Sequence, residues 1–373
     1  MNQRLIDEKY MRMALRLAAK AKGRTSPNPM VGAVIVKNGK VISRGYHRKA
    51  GEAHAEALAL TRAGSAARGA TLYVTLEPCS HKNKRTPPCT PLVVQSGVKR
   101  VVVAMIDPNP HVSGGGIQML RNRGIDVVAG VLKREAKKLN EAFIKHISRG
   151  VPFVTLKIAQ TLDGKIATAS GESQWITGKK AREEGHRLRD HTDAILVGIN
   201  TVLRDDPWLT ARIEGGRDPI RVIADSNLRV PLAARVITQR SSARTVIATL
   251  ATAPIKKIKQ LQDLGIEVLS VKSTDGRVDL RDLMKKLGKM DIMSLLIEGG
   301  AEIHASALKA GIVDKVVLFI APFLMTGKDS LCSIGGISPS KLSGMIKLAD
   351  VTMRFVGQDM MIEGYINKLR RKN

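Results

Sequence analysis

Cysteine, aromatic side chains and acidic groups are all scarce in this chain, and each shortage closes off a class of protein. Three cysteines in 373 residues cannot frame a disulfide-stapled domain; two of them lie near a histidine, which favours metal binding in a reducing compartment. Aromatics at 3% leave the cores to Val, Ile, Leu, Ala and Met, although 43% hydrophobic content is ample for large ones. No apolar run approaches the roughly 18–20 residues that span a bilayer. Residues 1–30 carry Arg4, Asp7, Glu8, Lys9, Arg12, Arg16, Lys20 and Lys22, which excludes the uncharged core of a signal peptide. The expected location is the cytoplasm. No G-x-G-x-x-G follows an early strand, so a Rossmann cofactor mode is unsupported. The shortage of acids, 33 against 61 Lys and Arg, leaves a net charge of +28. Such a charge attracts polyanions, yet the basic residues are scattered along the chain with no aromatic-interleaved stripe. It is read as a solvated surface suited to a phosphorylated small substrate, and nucleic acid is not the expected partner.

What is present is a chain long enough for two or three domains. Residues 4–22 carry apolar positions at helical spacing. The runs 31–36 and 41–46 flank Asn38-Gly39, a strong hairpin signal. Residues 52–61 read as an alanine-rich helix, 70–76 and 100–106 as buried strands, and 133–148 as one last amphipathic helix. Arg149-Gly150-Val151-Pro152 stops that helix and marks the domain boundary, 1–149 against 150–373. Strand candidates then resume at 153–159, 194–199, 220–224, 245–248, 268–271, 293–297 and 316–320, with helical patterns such as 178–191, 255–264 and 301–310 between them. Strands alternating with helices predict an α/β layer fold in both halves.

The sharpest chemistry lies in His54-Ala-Glu56, Pro78-Cys79 and Cys89. One imidazole and two thiolates are three zinc ligands, which leaves a fourth tetrahedral position for water and marks a catalytic site. Glu56 stands beside them with no duty as a ligand, in the layout used by zinc nucleobase deaminases. Zinc lowers the pKa of water towards about 7, and a carboxylate near the open position can carry protons to the ring nitrogen and the departing amine. In a regular helix, side chains two apart diverge by roughly 200°. His54 and Glu56 can therefore converge only at a helix end. Pro87-Pro88 predicts a second helix start at Cys89, where the helix dipole favours a thiolate. A closed structural site completed by His81 would leave Glu56 without a role.

These residues sit in longer matching words: Ser26-Pro-Asn-Pro-Met-Val-Gly-Ala-Val-Ile-Val36, Gly45-Tyr-His47, Gly51-Glu-Ala-His-Ala-Glu56, Leu76-Glu-Pro-Cys-Ser-His81 and Arg85-Thr-Pro-Pro-Cys89. The first half resembles the deaminase part of the bifunctional riboflavin-biosynthesis deaminase/reductases, whose fold is cytidine-deaminase-like. Nine residues separate Cys79 from Cys89, one more than that family's usual gap, and the extra one falls in the polar stretch Lys82-Asn-Lys84. The resemblance implies that Asn28, His47 and Arg85 hold the pyrimidine and its ribose phosphate. Residues 151–366 resemble the reductase part, similar in fold to dihydrofolate reductase, through Thr161-Leu-Asp-Gly-Lys165, Ser170-Gly-Glu-Ser-Gln-Trp-Ile-Thr177, Asp205-Asp-Pro-Trp-Leu-Thr-Ala-Arg212 and Leu296-Ile-Glu-Gly-Gly-Ala301.

That second resemblance implies NADPH. It places Ala159, Trp175, Thr201, Asp205 and Ser226 along the cofactor, together with the segment Gly300, Ala301, Glu302, Ile303, His304, Ala305 and Ser306. Ser173, Arg189, Leu209, Arg212 and Glu298 would hold the substrate, the arginines being suited to its phosphate. Lys157 or Asp205 would supply a proton where the sugar ring opens. Read without the family, Trp175 is a core aromatic, Arg189 a solvated helix residue and His47 a surface histidine, while Gly299-Gly300 is a tight turn. The expected protein is a two-domain zinc- and NADPH-dependent enzyme, homo-oligomeric as its family commonly is. It would deaminate a phosphoribosylated pyrimidine and then reduce its ribosyl group. The alternative is a nucleic-acid base deaminase (of tRNA adenosine or cytidine) with an accessory domain.

Overall fold

A computed structural model of the protein describes residues 2–80, 87–110 and 113–367. The chain divides into two compact units, Met1–Gly150 and Val151–Asn373. Among the described residues no helix is long and apolar enough to cross a membrane.

The first unit runs α1 (Gln3–Ala19), β1 (Gly32–Lys37), β2 (Lys40–Tyr46), α2 (Ala55–Ala63), β3 (Thr71–Val74), α3 (Cys89–Gln95), β4 (Arg100–Val103), α4 (Gly115–Asn122), β5 (Asp126–Ala129), α5 (Lys133–Leu139) and α6 (Glu141–Arg149). Its sheet has the order β2-β1-β3-β4-β5, antiparallel at β2–β1–β3 and parallel beyond. Asn38 and Gly39 both take positive φ, 49° and 74°, the conformation of a two-residue hairpin turn. Helices press directly onto this sheet. A side chain at Gly32 would strike the Ala14 carbonyl of α1, and one at Gly45 would strike the Ala55 carbonyl of α2. Alanine and glycine thus set how closely α2, and the His54 at its start, approach the strands.

One feature departs from the sequence reading. The expected single helix over 133–148 is two helices, because the buried Asn140 turns its carboxamide out of the helix and pairs with Met30, accepting from its N–H at 2.8 Å and donating to its carbonyl at 3.0 Å. An amide that can copy a backbone pair competes with the helix for its own residue. Asp7, in the second turn of α1, is buried and gripped by Arg100 through two bonds of 2.7 and 2.8 Å.

The second unit contains β6 (Phe153–Thr161), β7 (Lys165–Ala167), α7 (Lys179–His191), β8 (Ala194–Gly198), α8 (Ile199–Asp205), β9 (Ile220–Ala224), α9 (Arg235–Thr238), β10 (Thr245–Leu250), α10 (Ile255–Asp263), β11 (Glu267–Val271), β12 (Ser273–Thr274), β13 (Arg277–Val278), α11 (Leu280–Lys289), β14 (Ser294–Ile297), α12 (Ala301–Lys309), β15 (Lys315–Ala321), β16 (Leu331–Cys332), β17 (Leu348–Val356) and β18 (Asp359–Ile366). Nine strands form one sheet in the order β11-β10-β9-β8-β14-β6-β15-β18-β17, parallel from β11 to β15. Its aliphatic core holds Val154, Leu156, Leu196, Val222 and Leu295, all with no exposed surface. The antiparallel hairpin β17–β18 closes one edge, and the sequence reading, whose strands end at 320, does not contain it. The alternation of Val351, Met353 and Phe355 along β17 is a strand signal that the reading passes over, and in the fold all three stay exposed.

Candidate active sites

In the first unit, His54 is the residue that caps α2 and Glu56 lies in its first turn. Cys89 opens α3, with Pro88 as its cap. The helix-end geometry that the His-x-Glu spacing demands is therefore present twice. His54 Nδ1 lies 3.3 Å from Cys89 Sγ and 3.6 Å from Cys79 Sγ, and the three donor atoms fall within 4.8 Å of one another. Zinc–nitrogen and zinc–sulfur bonds of about 2.0–2.1 and 2.3 Å at a tetrahedral angle would separate N from S by roughly 3.6 Å. The donor set and its spacing fit zinc. The hydrogen bond with Cys79, and then burial, hold the Cys89 thiol well above the ordinary thiol range, so this pocket opposes two adjacent negative charges unless a cation joins them.

Glu56 is buried. Desolvation first, and then the charge of Cys79, push its carboxyl up to about 7. His47 is also buried, at 2% exposure, which overturns the surface reading. Its Nδ1 lies 3.2 Å from the Ala53 carbonyl, and its Nε2 lies 3.0 Å from Asn28 Nδ2. An amide nitrogen can only donate and a carbonyl can only accept, so His47 carries its proton on Nδ1. Burial lowers its pKa, the Ala53 bond opposes that, and His54 adds to the lowering. The His47 and His54 rings meet edge to face at 5.3 Å. Asn28 is thus fixed beside the metal ligands. Arg85 and His81 lie outside the described residues, as does the stretch holding the extra residue.

The second unit carries a cleft of about 1050 Å³ at the carboxyl ends of β6, β8, β9 and β14, where parallel sheets bind their ligands. Ala159, Ser173, Trp175, Thr201, Asp205, Leu209, Arg212 and Ser226 all line it, as do Lys157, Arg189 and Glu298. Of the segment 300–306, Gly300, Ala301, Glu302, Ile303, His304 and Ser306 line the cleft and Ala305 does not. Ala305 packs beside Gly336 instead. Gly300 caps α12 with no side-chain bond to the free amides, and nothing stands within 4 Å of where its side chain would be. An open, uncapped helix start of this kind suits a dinucleotide's phosphates.

Glu298 organises the cleft floor. Arg189 grips it through two bonds of 3.0 and 2.9 Å and also donates to the Thr210 carbonyl at 3.1 Å. Lys157 Nζ lies 3.7 Å from the same carboxylate. Burial alone would raise Glu298, but Arg189 and Lys157 outweigh it and hold the carboxyl near 2. Arg189 is therefore no solvated helix residue. Trp175 is no core aromatic either: it is 63% exposed, with the Arg182 guanidinium 4.6 Å from its ring centre. Asp205 and Arg212 are exposed at the rim. His186, which sequence reasoning missed, also lines the cleft. Burial, then Arg189 and Arg212, lower it to about 4. No motif in a single sequence singles out that histidine.

Residues 152–362 match the family model described as the RibD C-terminal domain, and residues 5–105 match the cytidine and deoxycytidylate deaminase zinc-binding region. The riboflavin biosynthesis protein RibD of Aquifex aeolicus is 47% identical over 360 residues, covering 96% of this chain and 98% of that one. Its counterpart from Escherichia coli K12 is 41% identical over 374 residues, covering 95% and 98%. Acinetobacter baumannii RibD is a solved structure similar to this one at a TM-score of 0.88 and 37% identity, over 98% of this chain and 100% of that one. A Thermotoga maritima diaminohydroxyphosphoribosylaminopyrimidine deaminase/5-amino-6-(5-phosphoribosylamino)uracil reductase gives a TM-score of 0.86 at 38% identity over the same shares.

Proposed function

The chain belongs to the RibD family of riboflavin biosynthesis proteins, and on that premise we propose how its two units divide the family's chemistry. The protein is a bifunctional deaminase and reductase. In our reading residues 1–149 deaminate 2,5-diamino-6-(5-phosphoribosylamino)pyrimidin-4-one, and residues 150–373 reduce the product's ribosyl group with NADPH. The observation that carries this is the cluster of His54, Cys79 and Cys89 donors within 4.8 Å, with the buried carboxyl of Glu56 beside it.

Zinc held by His54, Cys79 and Cys89 supplies the Lewis acidity that activates water at neutral pH. Glu56 takes one proton from that water and delivers it to the ring nitrogen. It then passes the second proton to the amine as the carbon–nitrogen bond breaks, leaving a carbonyl and ammonia. A carboxyl buried beside the three donors can do both. Asn28, aligned by neutral His47, holds the pyrimidine, and Arg85 the ribose phosphate.

NADPH supplies the hydride that C1′ receives in the second step. The protein must then protonate the ring oxygen as the C1′–O4′ bond opens. Lys157 is mostly buried beside Glu298, whereas Asp205 stands exposed, so we assign the proton to Lys157. With Arg189 committed to Glu298, we assign the substrate phosphate to the exposed Arg212, with Ser173 and Leu209 beside it on the cleft lining. Ala159, Trp175, Thr201, Ser226 and the start of α12 take the cofactor.

Thiolate ligands favour a reducing compartment, and on that ground we assign the protein to the cytoplasm. The exposed Val351, Met353 and Phe355 on edge strand β17 suit pairing with a second copy of the chain. The deciding assay offers zinc-loaded protein the diamino substrate, with and without NADPH. Ammonia should appear in both cases and NADPH should be consumed only after deamination. Ammonia release from tRNA instead would replace this substrate with a nucleic acid.

A further inference from the structure

The two thiolates are ten positions apart in sequence, yet something must hold them at a spacing that suits one ion. Four contacts join their segments directly. Cys89 N–H donates to Cys79 Sγ at 3.3 Å, and Thr90 N–H donates to the Cys79 carbonyl at 3.1 Å. The Thr90 hydroxyl reaches the same carbonyl at 2.9 Å and the Pro78 carbonyl at 3.2 Å. Thr90 has no exposed surface, so its hydroxyl has no water to turn to and these carbonyls are its partners. The opposite side of the Cys79 segment is braced as well. Glu77 accepts from the Asp107 and Gly114 amides at 3.1 and 3.0 Å and from the Ile117 amide at 3.1 Å. A side chain at Gly116 would collide with the Pro78 carbonyl.

We infer that Thr90 is the positioning residue of the metal centre: from the first turn of α3 its hydroxyl grips the Cys79 backbone and sets one thiolate against the other. The inference rests on the reading that His54, Cys79 and Cys89 hold zinc. The Thr90 hydroxyl is turned to the Pro78 and Cys79 carbonyls. It acts through the ligand's backbone, so the spacing is set by this grip and not by the length of the connecting stretch.

The test uses the full chain as wild type, Thr90→Val and Thr90→Ser. Zinc affinity is measured by chelator competition, and the cobalt(II)-substituted proteins are compared by absorption spectroscopy. Removing a partner that orients a ligand typically costs about 10–100-fold in metal affinity. Thr90→Val should lose zinc affinity in that range and shift the cobalt–thiolate bands, while Thr90→Ser keeps both. The NADPH-dependent reductase rate should be the same in all three. Thr90→Val with wild-type affinity and spectrum would overturn the inference, and so would an equal loss in Thr90→Ser, because the methyl would then be the operative group. Should Thr90→Val not fold, Thr90→Ala is judged on the same two readings. A wild type that takes up no zinc strikes the reading of the metal centre itself, and this inference with it.

Discussion

Replacing Glu298 by Gln removes the negative charge that two mostly buried cations, Arg189 and Lys157, share. Holding its carboxyl at about 2 rather than at the ordinary 4.5 is a displacement of roughly 2.5 pH units at about 1.4 kcal/mol each, or about 3 kcal/mol of folding stability. Breaking a buried pair from one side costs about 3–5 kcal/mol, so the two routes agree. The shift is in the depressed direction for an acid. The stabilisation is therefore fully present above about 4.5 and is lost as pH falls through about 2. Both tryptophans, Trp175 and Trp208, lie in the second unit, so their fluorescence follows that unit alone. At pH 7, Glu298→Gln should unfold about 6–12 °C below the wild type, and the gap should close between pH 4.5 and 2. A gap worth less than about 1 kcal/mol at pH 7, or one that persists unchanged at pH 2, would refute the electrostatic account of the cleft floor.

Glu56→Gln should cut ammonia release by about 10²–10⁴-fold while bound zinc, measured by atomic absorption, and the reductase rate stay at wild-type levels. Removing zinc with a chelator should abolish deamination, and added zinc should restore it; NADPH oxidation with the deaminated substrate should not change. His186 sits at about 4 in the folded chain against roughly 6.5 for a free histidine. The unfolded chain thus takes up the proton first, and the second unit should lose stability as pH falls from about 6.5 towards 4. His186→Gln should flatten that slope in pH-dependent thermal denaturation.

The parts legible from the chain are those governed by neighbours in sequence. Asn38-Gly39 places a hairpin because its two residues tolerate positive φ. His54 and Glu56, two apart, can meet only at a helix start, and that is where α2 begins. Alternation of strand and helix indicates an α/β layer fold, residue type and spacing name the zinc donors, and the family words extend the reading to the lining of the cleft. The chain misled where a distant partner decided the outcome. Asn140 breaks a continuous helical pattern because Met30 is beside it. β17 is different: Val351, Met353 and Phe355 alternate as a strand's residues do, and the signal is simply passed over.

By itself, the sequence determines which groups are available: one imidazole, two thiolates and a carboxyl at spacings that only helix ends can reconcile, and a Gly-Gly before a helix. Only the tertiary structure decides their charge and their duties. His47 stays neutral because it is buried against Ala53 and Asn28. Arg189 is committed to Glu298, 109 residues away in the chain. Thr90 is bonded to Cys79 because its side chain has no exposed surface from which to reach solvent. Burial removes the solvent that would otherwise level these groups, so each one's chemistry is set by neighbours that the linear order does not reveal.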